Sequence, residues 1–403
     1  MKVYFGFNDI RQDGMGTEAM YLLKAIKSCG INVQPVHPWK KVLIPEYINE
    51  YNPIFLREDE EEPELSSVIK DMVNVINNDL ECKIFSHFGA PNWACVIPYL
   101  RPDIKVIVSI HNITPSTLKI GMSYSKRVSR FVAISPEIKY LLQNRLPKNQ
   151  HSKISLIENA IDISKYNLKE FSNNEEIKIV YFGRIEGYAK GCDKIPAIAK
   201  ILKEKGLKFK WDFYGYFHWG YENRFYELNK KYDVEDVISY KGCLQPDEIN
   251  GTISKYDIMV MPSNHEGFGL VLTEAMAMGL TCIASLLNNI TDKIIDNNKN
   301  GFLTKRNDIN SFANLIYNAA IDFNLRVSIG NAARKKVEDN FTLSIQGNKY
   351  KDLFKDVLYD KNYSLINEPQ SLDNYKRPNI VKPHILARIL PMSIKKFIKR
   401  RLL

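Results

Sequence analysis

Short β-rich runs alternate with helical segments along this chain, in two successive series. The first series opens with MKVYFGFND, and the second opens with IKIVYFGRIEG at Ile177 to Gly187. Strands that are joined through helices pair in parallel, because the chain has to return to the same end of the sheet before the next strand begins. The pattern therefore predicts an α/β fold of two doubly wound domains that face each other across a cleft.

The domain boundaries follow from local composition. A polar stretch at residues 165–176, KYNLKEFSNNEE, separates the two series and is typical of a linker. We predict an N-terminal domain at residues 1–168 and a C-terminal domain at residues 174–345. Residues 346–360 are predicted to form a helix that crosses back to the N-terminal domain, and residues 361–403 form a basic tail. Ligands are expected where the carboxyl ends of the strands meet the cleft.

Cysteine usage and charge exclude several classes of protein. The six cysteines include no Cys-x-x-Cys pair, so neither a zinc site nor a disulfide framework is indicated and a cytoplasmic protein is favoured. No apolar run approaches the roughly 20 residues that span a bilayer. The formal charge of +10 is concentrated in residues 376–403, which hold nine Lys or Arg and no acid, so no nucleic-acid partner is expected. The acidic run at residues 58–64, EDEEEPE, is interpreted as a solvated loop.

Two glutamates flank a turn with two glycines in NHEGFGLVLTEAMAMG, residues 264–279. The preceding run DIMVMPS predicts a strand that ends near Ser263, so Glu266 lies in the loop and Glu274 about one turn into the next helix. Carboxylates accept hydrogen bonds from vicinal hydroxyls, glycines let the backbone approach a ligand, and a helix N-terminus favours phosphate. Hydroxyls together with phosphate indicate a nucleotide sugar. A solvated turn with two surface glutamates is the alternative.

This stretch resembles the Glu-x7-Glu signature of retaining glycosyltransferases of family 4, of the bacterial surface-polysaccharide type. That family has the GT-B architecture of two Rossmann-like domains, which implies that residues 1–168 form the acceptor-side domain and residues 174–345 the donor-side domain. Further pieces occur here in the order of the family, namely Gly14-Met-Gly16, His111 after the run VIVSI, and FGRIEGYAKG with Arg184 and Lys190. The resemblance covers roughly residues 1–345 and leaves out the tail.

The resemblance implies roles for individual side chains. Arg184 and Lys190 would hold the donor diphosphate and stabilise the charge on the leaving group, so that no metal is required. Glu274 would accept hydrogen bonds from the ribose, and Glu266 from the transferred sugar, near which His111 would also lie. Taken alone, basic residues in a loop are usually solvated and a single histidine after a strand is usually structural. The implied catalytic residues are His111, Arg184, Lys190 and Glu266.

The implied donor-binding residues contribute mainly backbone groups or the space left by a missing side chain. In the family, the glycines near the N-terminus lie in a loop that curls toward the donor phosphates and the acceptor, and the loop after the third strand of the C-terminal domain lies beside the nucleotide base. The implied donor-binding set is Gly14, Gly16, Gly183, Gly242, Leu244, Gly267, Phe268, Gly269, Leu270 and Glu274.

Other functions compete for the same motifs. Residues 14–19, GMGTEA, formally match the dinucleotide fingerprint G-x-G-x-x-G/A. The first glycine comes several residues after the strand, and residues 19–45 contain no Asp or Glu to hold a ribose, so an oxidoreductase is disfavoured. A GT-B-like nucleotide-sugar epimerase and a non-catalytic sugar-binding relative stay open.

The expected activity is transfer of a hexosyl or N-acetylhexosaminyl group from a nucleotide-diphosphate sugar to an acceptor hydroxyl, with retention of anomeric configuration. No cofactor or metal is expected beyond this co-substrate. The resemblance suggests lipopolysaccharide O-antigen or capsule assembly on a lipid-linked or oligosaccharide acceptor. The sequence does not distinguish a UDP donor from a GDP donor.

The tail has a membrane-binding pattern. Ile394, Phe397 and Ile398 form an apolar stripe that alternates with basic residues. Such a segment can lie at an anionic membrane surface, where each Lys or Arg contributes about 1 kcal/mol, and the alternatives are that it packs on the protein's own surface or is disordered. We therefore expect a cytoplasmic protein that is peripheral on the inner face of the cytoplasmic membrane.

Overall fold

The computed structural model describes residues 2–8, 10, 14–40, 45–57, 65–360 and 370. The acidic run at residues 58–64 and the membrane-binding pattern at residues 376–403 lie outside these ranges. Two parallel sheets flanked by helices are present, one in each predicted domain, which confirms the predicted α/β class.

The N-terminal sheet has seven described strands: β1 (Lys2–Gly6), β2 (Asn32–His37), β3 (Ile54–Phe55), β4 (Cys82–His87), β5 (Lys105–Ile110), β6 (Arg130–Ala133) and β7 (Ile154–Leu156). Their order is β3-β2-β1-β4-β5-β6-β7, and the neighbours are parallel. The helices between them are α1 (Gly14–Ser28), α2 (Pro45–Tyr51), α3 (Leu65–Asn78), α4 (Pro91–Val96), α5 (Pro115–Gly121) and α6 (Pro136–Arg145). The strand order reverses between β1 and β4, where sheets of this kind bind ligands.

The start of α1 differs from the sequence expectation. The sequence favours a helix from Thr17, with Gly14 and Gly16 in the preceding loop, but the helix begins at Gly14. Glycine disfavours a helix interior, whereas the first turn tolerates it better because the N–H groups there have no intrahelical partner. Both glycines therefore lie in the first turn of α1 instead of a loop.

The C-terminal sheet has six described strands: β8 (Ile177–Phe182), β9 (Phe209–Tyr214), β10 (Ile238–Tyr240), β11 (Ile258–Met261), β12 (Thr281–Ser285) and β13 (Phe302–Thr304). Their order is β10-β9-β8-β11-β12-β13, again parallel. The helices among them are α7 (Ile195–Glu204), α8 (Tyr221–Lys231), α9 (Glu248–Ile253), α10 (Leu270–Ala277) and α11 (Thr291–Ile294). Here the order reverses between β8 and β11, so the loops after these two strands meet at the carboxyl edge.

Three helices follow the second sheet: α12 (Ile309–Ile321), α13 (Phe323–Asn340) and α14 (Leu343–Tyr359). The last of them packs closely on α1. At the point of contact, a Cβ added at Gly347 would lie only 2.3 Å from the carbonyl oxygen of Ala25. Tyr350 and Phe354 of α14 belong to the same buried cluster as Phe5 of β1. Helix α14 therefore ties the end of the C-terminal domain to the N-terminal domain. No helix in the described ranges is long and apolar enough to cross a bilayer.

Candidate active site

The loops after β8 and β11 bring a lysine and a glutamate together. Lys190 Nζ lies 2.7 Å from Oε1 and 2.8 Å from Oε2 of Glu266. Glu266 also accepts a hydrogen bond from the Ser263 hydroxyl at 2.7 Å, and its side chain is 8% exposed. Two of the predicted catalytic residues, 76 positions apart in the sequence, thus meet at the carboxyl edge of the C-terminal sheet.

Arg184 lies in the loop after β8, and its guanidinium is held by a residue that the sequence reasoning missed. Its Nε donates to Oε1 of Glu186 at 3.0 Å. Glu186 is largely buried, whereas the Arg184 side chain is 37% exposed. The only sequence signal for this pair is its spacing within the loop FGRIEG. For Arg184 to hold a diphosphate, as the resemblance implies, its hydrogen bond to Glu186 has to be shared or exchanged.

His111 follows β5 and its ring is fixed on two sides. Its Nδ1 is hydrogen-bonded to the carboxylate of Glu18 in α1, and Phe88 stacks on the ring with the centroids 3.9 Å apart. The side chain is 4% exposed, and Nε2 has no protein partner among the described residues. Glu18 therefore engages one ring nitrogen and fixes the ring orientation. No spacing pattern links Glu18 to a histidine 93 positions later.

The loop that carries Glu266 also touches the N-terminal domain. A Cβ added at Gly267 would lie 2.3 Å from the carbonyl oxygen of His111. In the loop after β12, the Asn289 side chain donates to Glu137 Oε2 of α6 at 3.1 Å, also between domains. The sequence reasoning assigned Gly267 to the close approach of a ligand, but the group that approaches it here is the backbone of the other domain.

Glu274 lies about one turn into α10, as predicted, and it is almost completely buried. Its Oε1 accepts a hydrogen bond from the Tyr166 hydroxyl at 2.8 Å, and that hydroxyl is 2.9 Å from the hydroxyl of Tyr21 in α1. Burial raises the pKa of Glu274 to about 7, against the opposing effects of the Tyr166 hydrogen bond and the charge of Lys165. The carboxyl group therefore belongs to a hydrogen-bonded chain that joins α10, the linker and α1.

The two glutamates of the Glu-x7-Glu stretch have different partners. Glu266 contacts Lys190 within the C-terminal domain, and Glu274 contacts Tyr166 of the linker. The sequence reasoning did not identify the tyrosines. For Glu274 to bind ribose hydroxyls, as the resemblance implies, its hydrogen bond to Tyr166 has to be shared or exchanged.

The end of β8 faces the start of α10. Gly183 has a φ of +127°, and a Cβ placed on it would lie 3.6 Å from a methyl group of Val271 in the first turn of α10. Gly269 caps the same helix with a φ of +121°, directly before Leu270. Both φ values favour glycine, so neither Gly183 nor Gly269 places a side chain in the space between the strand end and the helix.

Three further predicted donor-binding residues lie in the loops after β10 and β11. Gly242 has a φ of +85°, and its carbonyl accepts a hydrogen bond from the Gly215 N–H at 2.8 Å. Leu244 is half-buried and packs against the buried apolar cluster that contains Phe268. The Phe268 ring is buried and packs edge-on against Phe341 at 5.6 Å, so its side chain stabilises the core while its backbone remains in the loop.

This architecture corresponds to a known class. The crystal structure of Anabaena Alr3699/HepE in complex with UDP matches 88% of this chain and 100% of its own, with a TM-score of 0.71 at 15% identity. The fold is that of the GT-B glycosyltransferases. Residues 162–336, which span the linker and most of the C-terminal domain, match the family described as glycosyl transferases group 1.

Sequence relatives match smaller parts of the chain. The putative colanic acid biosynthesis glycosyltransferase WcaL of Escherichia coli is 24% identical over 254 residues, 60% of this chain and 62% of that protein. UDP-Gal:alpha-D-GlcNAc-diphosphoundecaprenol alpha-1,3-galactosyltransferase of Escherichia coli is 33% identical over 114 residues, 28% of this chain and 29% of that protein. The chain spans less than two thirds of the length of either relative.

Proposed function

We propose that this protein is a glycosyltransferase that moves a sugar from a nucleotide-diphosphate donor to an acceptor hydroxyl. The contact between Lys190 and Glu266 carries this proposal. It places an ammonium group suited to a diphosphate beside a carboxylate suited to sugar hydroxyls. The match of residues 162–336 to glycosyl transferases group 1 supports it, and it favours transfer over the epimerase and the non-catalytic alternatives.

In the proposed reaction the bond between the anomeric carbon and the leaving phosphate oxygen breaks as the acceptor oxygen bonds to the same carbon. Negative charge grows on the leaving nucleoside diphosphate, where Lys190 and Arg184 stabilise it. The acceptor proton passes to the departing phosphate oxygen. The retaining outcome follows if attack occurs on the face from which the diphosphate leaves, without a protein nucleophile. Since side-chain cations carry the stabilisation, we propose that no metal is needed.

The names of the relatives support a more specific role. One refers to colanic acid biosynthesis and the other to a diphosphoundecaprenol acceptor and a UDP-linked donor. We propose a UDP-sugar donor, a lipid-linked saccharide acceptor and a place in bacterial polysaccharide assembly. The family 4 assignment and retention of configuration belong to the same proposal.

A donor screen tests the proposed function. The purified protein is incubated with UDP- and GDP-linked hexoses and N-acetylhexosamines, with and without a lipid-linked saccharide, and nucleoside diphosphate release and labelled product are measured. We expect release that depends on the acceptor and that is unchanged in excess EDTA. Epimerised donor without transfer would contradict the proposal. Loss in EDTA that a divalent cation restores would contradict its metal-independent part.

Membrane attachment through residues 376–403 is part of the proposal, motivated by the basic and apolar pattern of this tail. Deleting these residues should lower cosedimentation with anionic phospholipid vesicles at low salt and leave donor hydrolysis unchanged. Equal cosedimentation of the full-length and shortened chains would rule this role out.

A further inference from the structure

A cavity of about 590 Å³ lies at the carboxyl edge of the C-terminal sheet, apart from the residues assigned to the donor. Its walls come from the loops after four strands, β8, β11, β12 and β13. The volume lies within the roughly 300–1,000 Å³ typical of pockets for small ligands. The cavity is therefore large enough for a sugar residue.

The cavity shares a wall with the proposed transfer site. Tyr188 and His265 line it, and they lie two residues before Lys190 and one residue before Glu266. The two loops are fixed to each other, because the Asn264 side chain donates to the Tyr188 carbonyl at 2.7 Å. A molecule in the cavity therefore lies beside the loops that hold the two predicted catalytic residues.

The charge of this cavity is positive. Lys305 and Arg306 line it, no acidic residue lines it, and neither cation has a carboxylate partner among the described residues. The hydrogen bond of Arg306 in this region is a long one, 3.4 Å from its guanidinium to the carbonyl oxygen of Asn264. Burial and the charge of Arg306 together lower the pKa of the nearby Lys194 to about 8. The cations are thus not neutralised by the protein, and an anionic ligand group would neutralise them.

The remaining walls suit a carbohydrate. Tyr188 is 80% exposed, and its ring lies 5.4 Å from that of His265, which presents a broad aromatic surface. Asn288 and Asn307 supply amide groups that both donate and accept hydrogen bonds, whereas the amide of Asn264 is engaged by the Tyr188 carbonyl and by Lys194. Aromatic side chains with a polar tip, convergent amides and unpaired cations together fit a ring with hydroxyls and one negative group.

We propose that this cavity binds an anionic sugar of the acceptor, one that carries a carboxylate or a phosphate. The inference rests on the proposed function, because it assigns the cavity to the acceptor of the transfer reaction. The cations Lys305 and Arg306 bind the anionic group, and Tyr188 packs against the sugar ring. Specificity for the acceptor thus depends partly on loops of the donor-side domain.

Direct binding tests this inference without requiring transfer. Glucuronate, glucose 6-phosphate and glucose are titrated by saturation-transfer NMR against the full chain with UDP present. The double variant Lys305→Ala/Arg306→Ala is compared with Lys200→Ala/Lys299→Ala, which removes the same charge from exposed positions elsewhere. We expect the wild type and the control to prefer the charged sugars, and the cavity variant to bind them about tenfold more weakly, as for the loss of a charged hydrogen bond.

The two charged sugars distinguish a carboxylate site from a phosphate site. Equal binding of glucose and both charged sugars by the wild type, or unchanged binding by the cavity variant, would overturn the inference. Failure of the proposed function is separable, because it would abolish product formation in the donor screen but leave these binding curves intact. UDP affinity of the cavity variant should equal that of the wild type.

Discussion

Replacing Lys190 with alanine is expected to lower the rate of sugar transfer by about 100-fold or more, the size of effect that a lost charge-stabilising donor has in other enzymes. The ammonium group contacts both oxygens of Glu266 at the carboxyl edge of the C-terminal sheet, where the leaving diphosphate is proposed to lie. The loss should appear in kcat, because the stabilised charge develops only as the bond breaks. Product formation at saturating donor measures it.

The matched control for this variant is Lys200→Ala. Lys200 is an exposed residue of α7 that pairs with Glu204 in the same helix, so its loss should leave transfer unchanged. Thermal unfolding of both variants separates a catalytic effect from loss of the fold, since Lys190→Ala leaves a buried carboxylate without its cation. A folded Lys190→Ala protein with wild-type kcat would contradict the proposed role.

Replacing Gly267 with alanine is expected to reduce transfer by about 10- to 100-fold, because small displacements of reacting groups are costly. The new methyl group would lie 2.3 Å from the His111 carbonyl oxygen, so the loop of Glu266 and the N-terminal domain would have to separate. His111 and Glu266 would then move apart. Binding of nucleoside diphosphate, which is proposed to rest on the C-terminal domain, should stay near the wild-type level.

Gly251→Ala provides the control, because this exposed glycine in α9 has no atom within 4 Å of an added Cβ. Transfer by that variant should match the wild type, and its thermal stability should not fall, because alanine is favoured over glycine inside a helix. If Gly267→Ala weakened nucleoside diphosphate binding as strongly as it weakened transfer, Gly267 would instead accommodate the ligand, as the sequence pattern suggested. Wild-type transfer by Gly267→Ala would mean that contact between the domains at this point is not needed.

Much of the fold could be predicted because its signals are local. Strand and helix periods identified both sheets, and short apolar runs such as DIMVMPS located the strands whose carboxyl ends carry the site. The start of α1 at Gly14 was the exception, because residue preferences are weak at helix ends. The sequence likewise predicted that Arg184 and Lys190 share one loop and that Glu266 lies in the loop before Gly269. Residues that are close together in one loop also lie close together in space.

The contacts of those residues required the tertiary structure. Glu18 beside His111, and Tyr166 beside Glu274, are pairs 93 and 108 positions apart, and no motif joins them. They exist because the packing of α1 and the linker brings distant parts of the chain together.

The sequence by itself determined the α/β class, the two domains and the residue types that suit a nucleotide sugar, because periodicity and motif spacing act over short distances. Only the tertiary structure decided that Gly267 meets the His111 backbone, that Glu274 is buried against the linker, and that Lys305 and Arg306 line one cavity with Tyr188. The physical reason is that these contacts depend on how two sheets and their loops pack. That arrangement is set by the sum of many weak apolar contacts and by no single local pattern.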